Sequence, residues 1–223
     1  MLLVVVFDLI MTIVAGFLDA IGFSYLSGFY VSFMSGNTTG LGVALVHGRT
    51  EVAVASATVI GSFLFGTFAG SLLVFDRGLA ATQVVLTVEV VLLLLSALLV
   101  GHMAGAAGLV PVCVAMGMQN AVPRSVAGVE IGRSYVTGAL FGLGKASAMS
   151  IRDRRHLREA AAHACSWVAL IVGAISGSLA LNAWGLAICL TFAVVAIVAA
   201  MAVDGYSRAK TRRSAGDKRV IAT

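Results

Sequence analysis

The side chains that could do chemistry in this sequence are carboxyl and amide groups inside long apolar stretches. An acidic residue at the centre of a membrane helix costs about 2.5 to 3.5 kcal/mol on insertion scales, so it usually faces a polar partner or a wet cavity. Such groups suit the binding of a polar substrate or the carrying of a proton. The candidates are Asp19, Asn37, Thr38, Gln119 and Asn120.

Asp19 is the candidate that could carry a proton. It lies 11 residues after Asp8 (19 − 8), and at about 100° per residue this spacing puts both carboxyl groups on one stripe of the first helix. A second interpretation stays open, in which Asp19 caps the second apolar element or lies at the membrane interface. The sequence does not choose between these two roles.

Asn37 and Thr38 belong to the glycine-rich stretch 33–42, Phe-Met-Ser-Gly-Asn-Thr-Thr-Gly-Leu-Gly. Glycine here permits either a broken helix that presents backbone polar groups to a substrate or the close packing of two helices. We favour binding for Asn37 and packing for the glycines. The glycines predicted to pack helices are Gly36, Gly40, Gly66, Gly70, Gly138, Gly142, Gly173 and Gly177.

Other charged residues carry weaker hypotheses. Glu89 is alone in the most apolar stretch and is expected to face inward toward a polar partner, while Arg124 and Glu130 could form an ion pair over a vestibule or belong to a solvated loop. No nucleophile and base stand at a useful spacing, and no metal or cofactor motif is found, so we predict neither enzyme activity nor a metal or cofactor. The three cysteines, Cys113, Cys165 and Cys189, are expected to be packing residues.

The elements that must position these residues are membrane helices. Apolar residues make up 60% of the 223 positions and charged residues 11%, against roughly 45 to 50% and about 25% in soluble domains. The mean hydropathy is +1.02. Several runs reach the roughly 20 apolar residues that cross a bilayer. The composition predicts an all-α polytopic membrane bundle with six to eight membrane segments.

The segments are predicted to form two internal repeats of four apolar elements each, covering residues 1–101 and 102–204. Gly16 aligns with Gly117 at an offset of 101 (117 − 16), and the motif around Gly36 returns at Gly138, 102 residues later (138 − 36). The Gly66-x-x-x-Gly70 pair returns 107 residues later (173 − 66) as Gly173-x-x-x-Gly177. Landmarks in the same order at nearly constant offset favour duplication.

Basic residues are concentrated in a connector, residues 145–163, and in a tail, residues 205–223, which we predict to be disordered and cytoplasmic. If all eight elements span the membrane, Arg77, Arg124 and Arg133 lie outside. If the second and sixth elements instead dip in and return, only Arg49 lies outside. The first topology makes the repeats parallel and the second makes them inverted. We favour eight helical elements, with the second and sixth short or irregular.

The segments Gly16-Phe17-Leu18-Asp19-Ala20, Phe33 to Thr38 and Gly117-Met118-Gln119-Asn120-Ala121 resemble the YoaK-like family of bacterial inner-membrane proteins, a domain of unknown function. The resemblance reaches to about Asp204. It implies a small multi-pass protein in the cell inner membrane with about six membrane segments, and it implies no activity, substrate or site. Ser35 stands where the family pattern usually has Thr, and this change keeps the hydroxyl group.

Two functions from different classes remain. The first is a small-molecule transporter or permease with a polar site at the repeat interface. The second is a membrane scaffold or regulatory protein that packs helices and binds lipid or a partner through its basic connector and tail. Membrane lipids, an unknown small-molecule substrate and further copies of the chain are the expected partners, and nucleic acid is not.

Overall fold

The apolar stretches form helices because a segment inside hydrocarbon must satisfy its own backbone hydrogen bonds. The computed structural model describes the backbone of residues 2–77, 81–103, 105–122, 125–126, 129–130 and 136–220. Side-chain surroundings are described for residues 3–75, 81–103, 106–122 and 136–210. The predicted ion pair between Arg124 and Glu130 therefore lies outside the described side chains.

The described helices are α1 (Leu2–Tyr25), α2 (Met34–Val46), α3 (Thr50–Arg77), α4 (Ala81–Leu99), α5 (Val110–Asn120), α6 (Val136–Ser150), α7 (Leu157–Trp184) and α8 (Leu186–Val220). Short 3-10 turns precede α5 and α7, and two two-residue strands, β1 (Ser125–Val126) and β2 (Val129–Glu130), pair between α5 and α6. Within the described residues, five helices are long and apolar enough to cross a membrane: α1, α3, α4, α7 and α8. The predicted all-α polytopic membrane bundle is confirmed.

Helix α3 packs closely along α5 through two glycines. A Cβ atom on Gly66 would meet the backbone of Val114, and one on Gly70 would meet the backbone of Met118 at 2.8 Å. Because the contacts follow the same order along both helices, α3 and α5 run parallel. Any larger residue at these positions would push two backbones apart.

Helix α7 packs on α1 in the same way. A Cβ on Gly173 would meet the backbone of Ile13, and a Cβ on Gly177 would meet that of Phe17. These contacts also follow the same order, so α1 and α7 run parallel. The offsets are those seen in the sequence, since 66 + 107 = 173 and 13 + 101 = 114. The duplication itself stays a prediction, and it would account for this reciprocity.

Helix α4 runs opposite to α5. Near its end, the Ser96 hydroxyl donates to the Gly108 carbonyl at 2.5 Å, and near its middle Glu89 meets Gln119. The residue numbers rise along α4 while they fall along the α5 segment, which is the pattern of antiparallel helices.

Helix α4 also contacts α8, where Gln83 donates to the Met201 carbonyl at 3.3 Å and to the Asp204 carboxylate at 2.7 Å. Gln83 lies at the start of α4, whereas Asp204 lies 18 residues after the start of α8 (204 − 186). The buried residues before Asp204, such as Ile197 and Leu190, belong to the same core cluster as Leu86 and Leu93. The two helices are therefore antiparallel.

The described helices form two units, each of which draws helices from both predicted repeats. The α1 unit contains α1, α6, α7 and α8, and the α5 unit contains α2, α3, α4 and α5. The α4–α8 pair supplies the extensive helix contact between the units. The main core cluster lies where α1, α4, α5 and α8 meet, and it includes Phe7, Met11, Leu86, Met116 and Ile197.

Two boundaries differ from the sequence predictions. The second apolar stretch of the sequence runs from Phe29 to Val46, whereas helix α2 begins at Met34, because residues 26–33 form a loop that folds back on α1. Helix α8 continues to Val220, so residues 205–220, predicted to be disordered, are helical. A physical reason lies at the junction, where Arg208 donates to Asp204 at 2.7 Å one turn earlier and supports continued helix.

Candidate functional site

The loop between α1 and α2 brings the first polar cluster together. The chain leaves α1 through Ser27 and Gly28, which have φ values of 54° and 116°. Glycine adopts the second value without strain, so the chain can reverse here. The loop then returns along α1, and a Cβ on Gly22 would lie 2.8 Å from the Val31 side chain.

Asp19 holds this returning loop. One carboxylate oxygen accepts the Ser32 backbone N–H at 2.7 Å, and the other accepts the Ser32 hydroxyl at 2.6 Å. The Asp19 side chain is only 9% exposed, and its partner Ser32 lies two residues before the start of α2 (34 − 32). Asp19 therefore fixes the loop that leads into the second element, and its role as a proton carrier stays a prediction.

Asn37 holds the same loop from the other side. Its Oδ1 atom accepts the Tyr30 backbone N–H at 3.0 Å, while its Nδ2 atom donates to the Tyr30 carbonyl at 2.7 Å. The side chain is 2% exposed. The Tyr30 ring lies between those of Phe23 and Phe33, with centroids 5.0 and 5.1 Å away. Both polar atoms of the Asn37 amide therefore hydrogen-bond the loop backbone.

Thr38 and Asn120 bond within their own helices. The Thr38 hydroxyl is exposed and donates to the Met34 carbonyl at 2.8 Å, and the Asn120 amide donates to the Met116 carbonyl at 2.8 Å. In the described residues, the five predicted candidates do not line one pocket. Asp19 and Asn37 share a loop, whereas Gln119 belongs to a second polar cluster.

That second cluster is a carboxylate–amide pair between α4 and α5. Gln119 Nε2 donates to Glu89 Oε1 at 2.9 Å, and the two side chains are 1% and 0% exposed. Sequence reasoning left Glu89 out of the candidate set although it expected an inward-facing carboxylate there. Only the antiparallel register of α4 and α5 identifies Gln119 as its partner.

A third cluster was not predicted. Asp204 of α8 accepts from Gln83 of α4 and from Arg208, each at 2.7 Å, and it is buried. The i, i+4 spacing of Asp204 and Arg208 was a usable signal for the ion pair. The contact with Gln83 had no signal, because it joins residues 121 positions apart.

The motif glycines differ in their surroundings. A Cβ on Gly36 would lie 3.0 Å from the Phe33 and Tyr30 rings, and a Cβ on Gly142 would meet the His163 ring. At Gly40 a Cβ would meet nothing within 4 Å. The packing role predicted for Gly40 therefore has no counterpart among the described residues.

Two described cavities lie beside the start of α3 rather than at the polar clusters. One of about 330 Å³ lies against α2, and the other, of about 450 Å³, lies against the segment before α5. Thr50 and Val54 line both. Their other lining residues are mostly apolar, and neither cavity reaches Asp19 or Glu89.

The fold and its buried polar clusters define a polytopic helical membrane protein. The chain belongs to the family described as protein of unknown function (DUF1275), whose sequence profile matches residues 8–203. It is 33% identical over 167 residues to the UPF0700 transmembrane protein RA0705 of Rhizobium meliloti (strain 1021), which covers 74% of this chain and 70% of the relative. The resemblance to a YoaK-like membrane family is thereby confirmed. No solved structure matches the chain.

Proposed function

We propose that this protein transports a small polar solute across the bacterial inner membrane by movement of the α1 unit against the α5 unit. The observation that carries the proposal is the division of the bundle into these two units, joined chiefly by the antiparallel α4–α8 pair. The α4–α8 contact is as extensive as the α1–α8 contact inside the α1 unit, so the proposed rocking requires α4 and α8 to slide on each other within the shared core.

The helix directions support six membrane crossings. Helix α8 runs opposite to α7, because a single residue, Gly185, joins these two spanning helices. Together with the pairings above, α1, α4 and α7 run one way, and α3, α5 and α8 the other. Helices α2 and α6, of 13 and 15 residues, then do not cross the membrane: each enters it and returns to the same side. This topology makes the predicted repeats inverted and leaves only Arg49 outside, with the C-terminal end cytoplasmic.

The polar clusters have different roles in this proposal. Glu89 and Gln119 supply a buried carboxylate and amide at membrane depth, where they would bind a hydrogen-bond donor or a cationic group of the solute. Asp19 and Asn37 hold the loop that connects the two units, and Asp204 with Gln83 joins them at the cytoplasmic end. The two described cavities do not reach the pair, and in this proposal the solute reaches it when the units separate.

The alternative is a scaffold whose helices pack permanently. The burial of Glu89 and Gln119 and the hydrogen bond between them support it. The two functions differ in one measurable respect. A transporter populates two arrangements of the units, whereas a scaffold keeps one.

Distance measurements between spin labels on α4 and α8 test the proposal without knowledge of the solute. One pair, on Leu98 and Ile188, reports the outer end, and another, on Thr87 and Ala202, reports the cytoplasmic end; all four side chains are exposed. Rocking predicts two distances for each pair, with the outer distance long in the state where the inner distance is short. A single distance at both ends in lipid bilayers would rule out alternating access and leave the scaffold.

The matched control is a label pair inside one unit. Phe141 of α6 and Val168 of α7 are both exposed, and the α6–α7 hairpin is expected to keep one distance. All labels are introduced on a chain in which Cys113, Cys165 and Cys189 are replaced by Ser.

A panel of polar solutes is then screened for a rise in melting temperature. Glu89→Gln and Gln119→Leu are expected to remove any rise, while Thr38→Ala keeps it.

A further inference from the structure

The connector between α6 and α7 presents an unusual density of exposed positive charge. Arg152, Arg154, Arg155 and Arg158 lie within seven positions (152 to 158), and all four are exposed. In the described part of the chain, none of them forms an ion pair with a carboxylate. Four exposed arginines with no internal partner are available to an external anion.

The two acidic residues of the connector are already engaged. The Asp153 carboxylate accepts the Arg155 backbone N–H at 2.9 Å and caps the 3-10 turn Arg154–His156. Glu159 contacts the His156 ring at 3.3 Å. His163, four residues after Glu159, packs against Gly142. These local contacts shape a defined turn and keep both carboxylates occupied beside the arginines.

Apolar side chains flank the arginines and are exposed as well. Ile151 is 86% exposed and Leu157 is 51% exposed. Large apolar residues next to basic ones, at the end of a membrane helix, are typical of a segment at the headgroup level, where the apolar groups enter the acyl region and the charges stay at the phosphates.

A second basic segment reaches the same membrane surface. Because α8 returns antiparallel to α7, the end of α8 emerges on the side where α7 begins. Arg208 there is held by Asp204, whereas Lys210 is exposed. Within the described side chains of this segment, Tyr206 is also exposed but Arg208 has a carboxylate partner, whereas none of the four connector arginines has one, so we assign the stronger contact to the connector.

We infer that the α6–α7 connector binds the headgroups of anionic phospholipids in the cytoplasmic leaflet. Its four arginines contact the phosphates, and Ile151 and Leu157 insert beside them. Arginine matches phosphate geometry through its planar, multiply donating guanidinium group. Since the connector begins α7, which packs along α1, bound lipid would fix the depth of the α1 unit in the membrane. The inference is independent of whether the protein transports a solute.

The test compares lipid retention by the full-length protein in detergent, measured by native mass spectrometry with phosphatidylglycerol or phosphatidylcholine of the same acyl chains. The variant combines Arg152→Gln, Arg154→Gln, Arg155→Gln and Arg158→Gln. The control removes the same charge from the other basic segment through Lys210→Gln, Arg212→Gln, Arg213→Gln and Lys218→Gln. Elution volume and helical circular dichroism establish that both variants fold.

Each basic residue near an anionic surface contributes about a fivefold change in binding. With four arginines at the headgroups the combined effect exceeds about tenfold, so the connector variant is expected to lose phosphatidylglycerol retention by at least that factor. The control, which keeps the connector arginines, is expected to lose less than about threefold, and neither variant changes with phosphatidylcholine. Equal losses in the two variants would show a net-charge effect and overturn the assignment. Unchanged retention in the connector variant would overturn it too, and would direct attention to an acidic protein partner.

A fluorophore at position 151 provides a second measurement. On the cysteine-free chain, a label at Ile151→Cys is expected to be quenched by lipids that carry a quencher near the glycerol backbone. The same label at Lys210→Cys is expected to be quenched less. Equal quenching at the two positions would contradict the insertion of the connector.

Discussion

The two helical hairpins, α2–α3 and α6–α7, are alike where they meet the rest of the molecule and different within themselves. Each hairpin carries a Gly-x-x-x-Gly pair that packs on a helix distant in sequence. Gly66 and Gly70 of α3 pack on α5, and Gly173 and Gly177 of α7 pack on α1. In both cases the glycine Cα atoms face a neighbouring backbone. The shared feature is thus the docking of each hairpin outside its own predicted repeat.

The difference appears at the motif glycines. Gly142 lies under the ring of His163, while Gly40 has open space around it. At the offset of the docking glycines, His163 corresponds to Ser56 (163 − 107), a small buried residue that donates to its own helix at the Val52 carbonyl. A similar glycine pattern therefore supports two local packings. The docking glycines are constrained by contact with a neighbouring backbone. At the motif glycines, the space available for a larger residue depends on which side chain lies opposite.

The largest expected effect tests the shared feature. Gly66→Val and Gly173→Val each place a Cβ against a helix backbone that cannot yield, so each is expected to lower the free energy of unfolding by about 3 kcal/mol. Steric trapping of the unfolded state in micelles measures the free energy of unfolding. Gly61→Val is the control, since a Cβ there meets nothing within 4 Å. If Gly173→Val behaved like the control, the reciprocity of the two docking faces would be lost.

The next effect concerns the loop that leads into the first hairpin. Asn37→Ala removes both hydrogen bonds to Tyr30 and leaves buried backbone groups without that partner, at an expected cost of about 2 kcal/mol. Hydrogen exchange at the Tyr30 amide is expected to accelerate. Thr38→Ala, which removes a hydroxyl bonded to its own helix at an exposed position, is the matched control. Equal exchange in the two variants would show that Asn37 does not hold the loop.

A smaller effect of opposite sign separates the two hairpins. Gly142→Ala forces the His163 ring to move and is expected to cost about 1 kcal/mol. Gly40→Ala meets no atom within 4 Å and is expected to gain up to about 1 kcal/mol from the higher helix propensity of alanine. Paired unfolding measurements decide the sign. Changes of the same sign would mean that His163 does not distinguish the hairpins.

The smallest effect is expected at Ser56. Because its hydroxyl bonds only within α3 in the described structure, Ser56→Ala is expected to change the free energy of unfolding by less than about 0.5 kcal/mol. Unfolding in the same micelles provides the value. A loss above about 1 kcal/mol would indicate that Ser56 makes a contact between helices, as His163 does.

Much of the architecture could be predicted because it depends on composition and local pattern. The apolar runs give the membrane helices, and the glycine spacing at Gly66, Gly70, Gly173 and Gly177 indicates close packing. The candidate set was predicted less well. Asn37, predicted to bind a substrate, hydrogen-bonds the loop backbone at Tyr30, and its role in binding stays a prediction. The sequence could not separate these two roles, because both need the same buried amide.

The sequence by itself determined that this chain is a membrane protein. It also determined which segments form helices and which positions are polar. These follow from hydropathy and from the demand for internal backbone hydrogen bonds. Only the tertiary structure decided that α3 packs on α5 and α7 on α1. It also decided that Gln119 donates to Glu89 and that Ser32 donates to Asp19. Such pairings depend on helix direction and register, and apolar surfaces are too alike for a linear pattern to specify them.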